Sequence, residues 1–282
     1  MHIKVLKNIN IPGSADRRIL LDVLFNENGK HKPLVIFLHG FKGFKDWGHF
    51  NALAEKFVAE DFVFVKFNFS HNGTSPEDPM VFSDLEAFGR NNYIFELDDT
   101  KIVLDWILHF DQLKPEVDVN RVYLLGHSRG GGIAILKAYE DHRIKKLATW
   151  AAVSDFVTRN KKRTVDTWRR DGVVYTTNAR TKQQMPLYLQ FYEILMANKN
   201  RLNILRAAGK LKIPFLIVHG DADEAVSVKD AEALSRSAKH SRLFIVPGGD
   251  HTYGIRHPFV DGIFPEPALT VINQTIEFLK KT

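Results

Sequence analysis

Three stretches of the chain put a residue suited to acyl-transfer chemistry directly behind an apolar run. The first is Val122-Tyr123-Leu124-Leu125-Gly126-His127-Ser128-Arg129-Gly130, with Ser128 at Gly-x-Ser-x-Gly spacing. That spacing suits a sharp strand-to-helix turn, because side chains at Gly126 or Gly130 would collide with the neighbouring strand and helix. The turn lifts a hydroxyl above a sheet edge and aims a helix N-terminus at whatever the serine attacks. Alone, it also reads as a glycine-rich turn with an incidental serine. A serine hydroxyl becomes a useful nucleophile only when a base takes its proton, and the base needs an acid to orient it. The other two stretches supply both. Ile213 to His219 runs into Gly220-Asp221-Ala222-Asp223, and Arg242 to Val246 runs into Pro247-Gly248-Gly249-Asp250-His251. Asp221 and Asp223 are both open as the acid, and His257 stands behind His251 as a second candidate base.

Those loops can meet only if the apolar runs lie side by side. Residues 2–25 read as two short strands around Pro12-Gly13-Ser14, and Pro33 to Leu38 and Phe62 to Phe67 as strands buried on both faces. Arg121 to Leu125, Leu147 to Val153, Ile213 to His219 and Arg242 to Val246 continue the series. Between them, helical periodicity predicts helices over Asp46 to Glu60, Asn92 to Phe110, Ser128 to Glu140 and Pro267 to Lys280. Strands alternating with helices predict a mostly parallel sheet covered on both sides, with loops gathering at the strands' carboxyl ends. Phe156 to Leu211 breaks this rhythm, being much longer than the dozen or so residues a crossover needs. It reads as an insertion, with helices over Pro186 to Asn198 and near Leu202 to Ala208.

With the order serine, acid, histidine, each directly behind a strand, the chain resembles the α/β-hydrolase superfamily over nearly its whole length outside the insertion. The resemblance implies an α/β-hydrolase fold: a mostly parallel eight-stranded sheet with helices on both faces and a cap insertion, one domain over 1–282 with the cap at 156–211. Gly220-x-x-Asp223-x-x-Val226 is similar to the superfamily's acid loop and favours Asp223 over Asp221. His251 matches the histidine after its Gly-rich loop, so Ser128, Asp223 and His251 are the implied catalytic residues. His39-Gly40-Phe41 resembles its His-Gly-x turn, which implies the backbone N–H groups of Phe41 and Arg129 as oxyanion donors. The His-Gly-Phe-x-Gly turn and the position of the insertion resemble the cinnamoyl/feruloyl esterases and related acyl hydrolases more than the His-Gly-Gly-Gly lipases. Two features depart from that pattern: the insertion is unusually basic, and Arg129 stands where a smaller or neutral residue is common.

Composition bounds the partners. The 282 residues are 44% hydrophobic, enough for one large α/β domain. The net charge of +6 is local, since residues 155–212 hold 13 of the 39 Lys/Arg but only 4 of the 33 Asp/Glu. No nucleic-acid-binding module accompanies that excess. No run reaches the ~18 apolar residues of a membrane span, and the N-terminus lacks a signal peptide's apolar region. With no cysteine, thiol catalysis and disulfides are excluded, and a cytoplasmic location is expected. No metal-ligand spacing or phosphate loop stands out, so no metal and no cofactor are expected. In the insertion, Trp168, Tyr188, Phe191 and Tyr192 are candidate substrate-binding residues, and the partner expected is a small aromatic or anionic acyl compound. The sequence therefore predicts a serine-dependent hydrolase of a carboxylic ester or related acyl bond. Amide cleavage of the aminopeptidase kind, and a non-catalytic binding protein on the same scaffold, are the rival readings.

Overall fold

The chain opens on an antiparallel pair, β1 (Ile3–Pro12) and β2 (Arg18–Asn26), and β2 pairs antiparallel with a later strand. The computed structural model describes residues 3–159, 161–260 and 262–281. There follow β3 (Lys32–Leu38), α1 (Phe50–Ala59), β4 (Val63–Asn68), α2 (Leu85–Arg90) and α3 (Tyr93–His109). β5 (Val117–His127) leads into α4 (Arg129–Glu140), and β6 (Ile144–Trp150) into the long insertion. That insertion holds α5 (Lys162–Asp171), the hairpin β7 (Val173–Thr177) and β8 (Gln184–Tyr188), α6 (Leu189–Ala197) and α7 (Ile204–Lys210). β9 (Phe215–Gly220), α8 (Val228–Ser237), β10 (Ser241–Val246) and α9 (Glu266–Lys280) complete the chain. The main sheet has eight strands in the order β1-β2-β4-β3-β5-β6-β9-β10, parallel from β4 onward.

The continuous apolar strands are explained by where their alternate side chains go. In β3, Leu34, Ile36 and Leu38 join a core packed with residues of α3, α4, α7 and α8, while Val35 and Phe37 join a second core with α1 and α9. A strand covered on both faces has no solvent side on which to place polar residues. Among the described residues, no helix is long and apolar enough to cross a membrane.

Three local differences from the expected elements have physical reasons. The helix expected from Asp46 starts only at Phe50, because Asp46 is drawn into a buried ion quartet. There Lys45 Nζ lies 2.8 Å from Asp22 and 2.6 Å from Asp46, and Lys66 Nζ lies 2.6 Å from Asp22 and 2.5 Å from Asp46. Pro186, read as a helix start, instead sits in β8 opposite Tyr175; a strand with a single partner needs no amide there. α8 is a helix the periodicity does not announce. Its buried stripe is only Ala231 and Leu234, and its start is set by the Ser227 cap.

Candidate active site

β5 delivers Ser128 at the carboxyl edge of the sheet, at φ 57° and ψ −120°. A non-glycine residue held there is strained, and the surroundings over-determine it. Its N–H donates to Trp150 O at 2.8 Å, and its carbonyl accepts from Gly131 N at 3.0 Å. The flanking glycines are steric necessities. A Cβ on Gly126 would stand 2.4 Å from Gly130 O, and one on Gly130 would stand 2.4 Å from Leu38 O. The elbow thus locks onto the strand that carries His39-Gly40-Phe41.

The candidate acid and base arrive from the next two strands. Asp223 follows β9 and is pinned by the N–H groups of Ala225 and Val226, both 2.8 Å from Oδ1. Its Oδ2 accepts from His251 Nδ1 at 2.8 Å, and His251 Nε2 lies 3.0 Å from Ser128 Oγ. A carboxylate at Nδ1 fixes the proton there and leaves Nε2 free to accept the serine proton. Burial pushes the Asp223 carboxyl up, but hydrogen bonds with His219 and His251, the Val226 N–H and the charge of His251 outweigh it. The net effect holds it well below the usual carboxylate range. Asp221 stands apart, its Oδ1 accepting from Gly248 N at 2.6 Å. His257 lies over Trp47 and accepts from Gly48 N at 2.9 Å.

Phe41 and Arg129 flank Ser128, and neither backbone amide has an acceptor among the described residues. The loop beyond Phe41 is tethered at several points. Gly43 N donates to Gly40 O, Lys45 N to Asn68 Oδ1, and the Lys45 and Asp46 side chains enter the ion quartet. The Arg129 guanidinium is held apart from its own amide. It lies 4.0 Å from the Phe41 ring centroid and 3.2 Å from Glu96 Oε1.

Ser128 and His251 sit where two cavities meet. The larger, about 860 Å³, runs under the insertion between Tyr93, Phe156, Trp168 and Phe191. The smaller, about 140 Å³, lies beside Gly40, Trp47, Phe50 and Thr252, and the two share Phe41, Lys42, Ser128 and His251. Of the aromatics expected to contact substrate, Trp168 and Phe191 line the large cavity. Tyr188 and Tyr192 stand elsewhere. The Tyr188 hydroxyl donates to Glu86 at 2.5 Å with its ring against Gly89, and Tyr192 stacks on Trp168, 5.9 Å between centroids.

Four residues gain a place that spacing alone does not assign. His127 donates from Nε2 to His251 O at 2.9 Å, bracing the backbone of that residue. His219 Nε2 lies 3.3 Å from Asp223 Oδ2 and 2.8 Å from Val226 O. Glu96 anchors Arg129, and Lys42 borders both cavities. The one sequence signal was position: His127 inside the elbow and His219 at the end of a strand.

Burial also sets a pH dependence. His39, His49 and His71 are pulled down from 6.5 to about 4 by burial, and His127 to about 3 by burial and by the charge of His251. The unfolded chain protonates these rings near 6.5, whereas the folded chain does so only near 4 or below. Between those limits the unfolded state binds more protons, so acidification destabilises the fold, by up to about 1.4 kcal/mol per pH unit per histidine. Urea midpoints measured at pH 7, 6 and 5 should therefore fall steadily below 6.5. A flat profile would contradict this account.

The sheet topology and the turn at Ser128 define the class: this is an α/β-hydrolase. A protein-family model, BD-FAE, matches residues 21–237, and the chain belongs to that family of α/β-hydrolase esterases. Human monoglyceride lipase is 26% identical over 93% of this chain and 89% of its own. The structure of Est1E from Butyrivibrio proteoclasticus with ferulic acid bound superposes with a TM-score of 0.69 at 20% identity, covering 97% of this chain and 100% of that one. The esterase domain of a Rhodothermus marinus protein superposes at 0.62 with 17% identity, covering 99% of both chains.

Proposed function

We propose that the protein hydrolyses carboxylic esters through an acyl-enzyme on Ser128. The observation that carries this reading is the chain from Ser128 Oγ to His251 Nε2 to Asp223, at 3.0 and 2.8 Å, opening onto both cavities. In the first step His251 Nε2 takes the Ser128 proton as Oγ attacks the ester carbonyl. The oxyanion is received by the Phe41 and Arg129 amides, and Asp223 stabilises the imidazolium. His251 then gives its proton to the departing alcohol. Water, deprotonated by His251, attacks the acyl-serine, and the acid leaves as Oγ regains its proton.

The two cavities support a division of the ester, with a bulky acyl or aromatic half in the large one and a small half in the other. The ferulic acid bound to Est1E and the name of monoglyceride lipase favour a carboxylic ester over an amide. We read residues 1–282 as one hydrolase domain with a cap over 156–211. Its roof is α5 through α6, which line the large cavity, whereas α7 packs against α4 and α8. The lack of cysteine supports a cytoplasmic setting.

A fluorophosphonate probe tests the assignment. The intact protein should be labelled on Ser128, and Ser128→Ala should take no label. Label persisting in that variant would move the nucleophile elsewhere.

A further inference from the structure

The large cavity has an apolar wall and a charged rim, and the rim charges are not equally satisfied. Lys42, Arg129, Arg159 and Arg163 border it, against one carboxylate, Asp171. Asp171 is already occupied by Arg170, whose Nε and Nη2 both lie 2.7 Å from it. Arg129 is paired with Glu96 at 3.2 Å, and Arg159 reaches Asp230 at 3.4 Å. Among the described residues Lys42 has no carboxylate partner: its Nζ donates to Thr177 O at 3.0 Å. The Arg163 guanidinium has neither an ion-pair nor a hydrogen-bond partner among the described residues. Two uncompensated cations therefore face one cavity, one from the loop after Phe41 and one from α5.

The wall between them has a direction. Arg163, Thr164, Thr167, Trp168 and Asp171 all line the cavity, at the spacing of a single helix face. From Arg163 to Asp171 that face extends roughly 12 Å at 1.5 Å per residue. Arg163 is exposed at its N-terminal end and Trp168 is buried further along. Aromatic rings surround the serine, and positive charge without a counter-ion stands at the rim. Lys42 is partly buried, and its ammonium is driven toward the neutral form by burial and by the charge of Arg129. An incoming anion would reverse that cost.

We infer that the large cavity selects esters whose bulky half ends in a carboxylate, received by Arg163 and Lys42 while the scissile carbonyl lies at Ser128. This rests on the serine-esterase reading above. A guanidinium fork takes a carboxylate through two parallel hydrogen bonds, and a cleft rimmed by one sign of charge raises the local concentration of its counter-charge. Lys42 borders both cavities but Arg163 only the larger, so the two unpaired cations converge there and the anionic half belongs in the larger one.

The experiment compares each anionic ester with its own methyl-capped form, in two arms. In one, the carboxylate is on the acid half, as in 4-nitrophenyl hydrogen adipate against its methyl ester. In the other it is on the alcohol half, as in the butyrate ester of 3-(4-hydroxyphenyl)propanoate against its methyl ester. In at least one arm the ratio of kcat/KM, anionic over capped, should reach on the order of tenfold and should shrink with added salt. Arg163→Gln should cut that ratio severalfold, Arg163→Glu should bring it below one, and Lys42→Gln should lower it independently. A variant that lost both members of a pair equally would show a structural role and overturn the inference. So would ratios at or below one in both arms of the intact protein. If the capped esters are not hydrolysed and the fluorophosphonate does not label Ser128, the esterase reading fails first and takes this inference with it.

Discussion

Ser128→Ala is expected to lower kcat for a neutral ester by about 10⁵- to 10⁶-fold, the scale seen when a hydrolase of this kind loses its nucleophile. The residue is placed to act and to do little else. Among the described residues its Oγ has one partner, His251 Nε2, and the turn is held by its backbone, through Trp150 O and Gly131 N. Alanine keeps the Cβ that lies against Gly40, so the elbow should survive. Thermal unfolding of the variant should stay within a few degrees of the parent while progress curves fall nearly to background. The small residual rate would be owed to the Phe41 and Arg129 amides, which remain in place. A loss below about a hundredfold would mean that water, activated directly by His251, carries most of the reaction.

Asp22→Ala is expected to cost about 3–5 kcal/mol of stability, because it breaks a buried ionic network from one side. Lys45 and Lys66 would then share Asp46 alone, with their side chains 0% and 1% exposed. The damage should also reach catalysis. Lys45 and Asp46 lie on the loop that begins at the Phe41 turn, so loosening them should reduce kcat more than it raises KM. Removing one charge of each sign, as in Asp46→Leu with Lys66→Met, leaves no lone ion and should be milder than Asp22→Ala. Urea unfolding with parallel initial rates checks both parts. A destabilisation under about 1 kcal/mol would show that water or a rearranged lysine compensates.

The parts of the structure most legible in the sequence are those built from apolar repetition. β3, β4, β5 and β9 are hydrophobic on both faces because both faces are covered, and the loops behind β5, β9 and β10 bring Ser128, Asp223 and His251 together. Pairings that depend on charge were not legible. Nothing in the spacing of Lys45, Asp46 and Lys66 announces their pairing, because a lone lysine or aspartate is nearly always a surface residue, and their mutual neutralisation exists only in three dimensions. Tyr188 stands away from the large cavity for a related reason. Aromatic content marks a segment as able to line a pocket, but β8 turns that ring toward α2, where Glu86 takes the hydroxyl. His127 and His219 support His251 and Asp223 through a carbonyl and a carboxylate, contacts without a sequence period.

The junction of the two cavities at Ser128 has an evolutionary consequence. The small cavity is shaped largely by the segment between β3 and α1, the large one largely by the segment between β6 and β9. They share little beyond the reacting residues and Phe41 and Lys42. On the proposed division of the ester between them, substitution or loop exchange away from Phe41 and Lys42 can shift preference for one half without disturbing preference for the other. On that reading, a lineage built on this frame changes acid and alcohol specificity as separate traits.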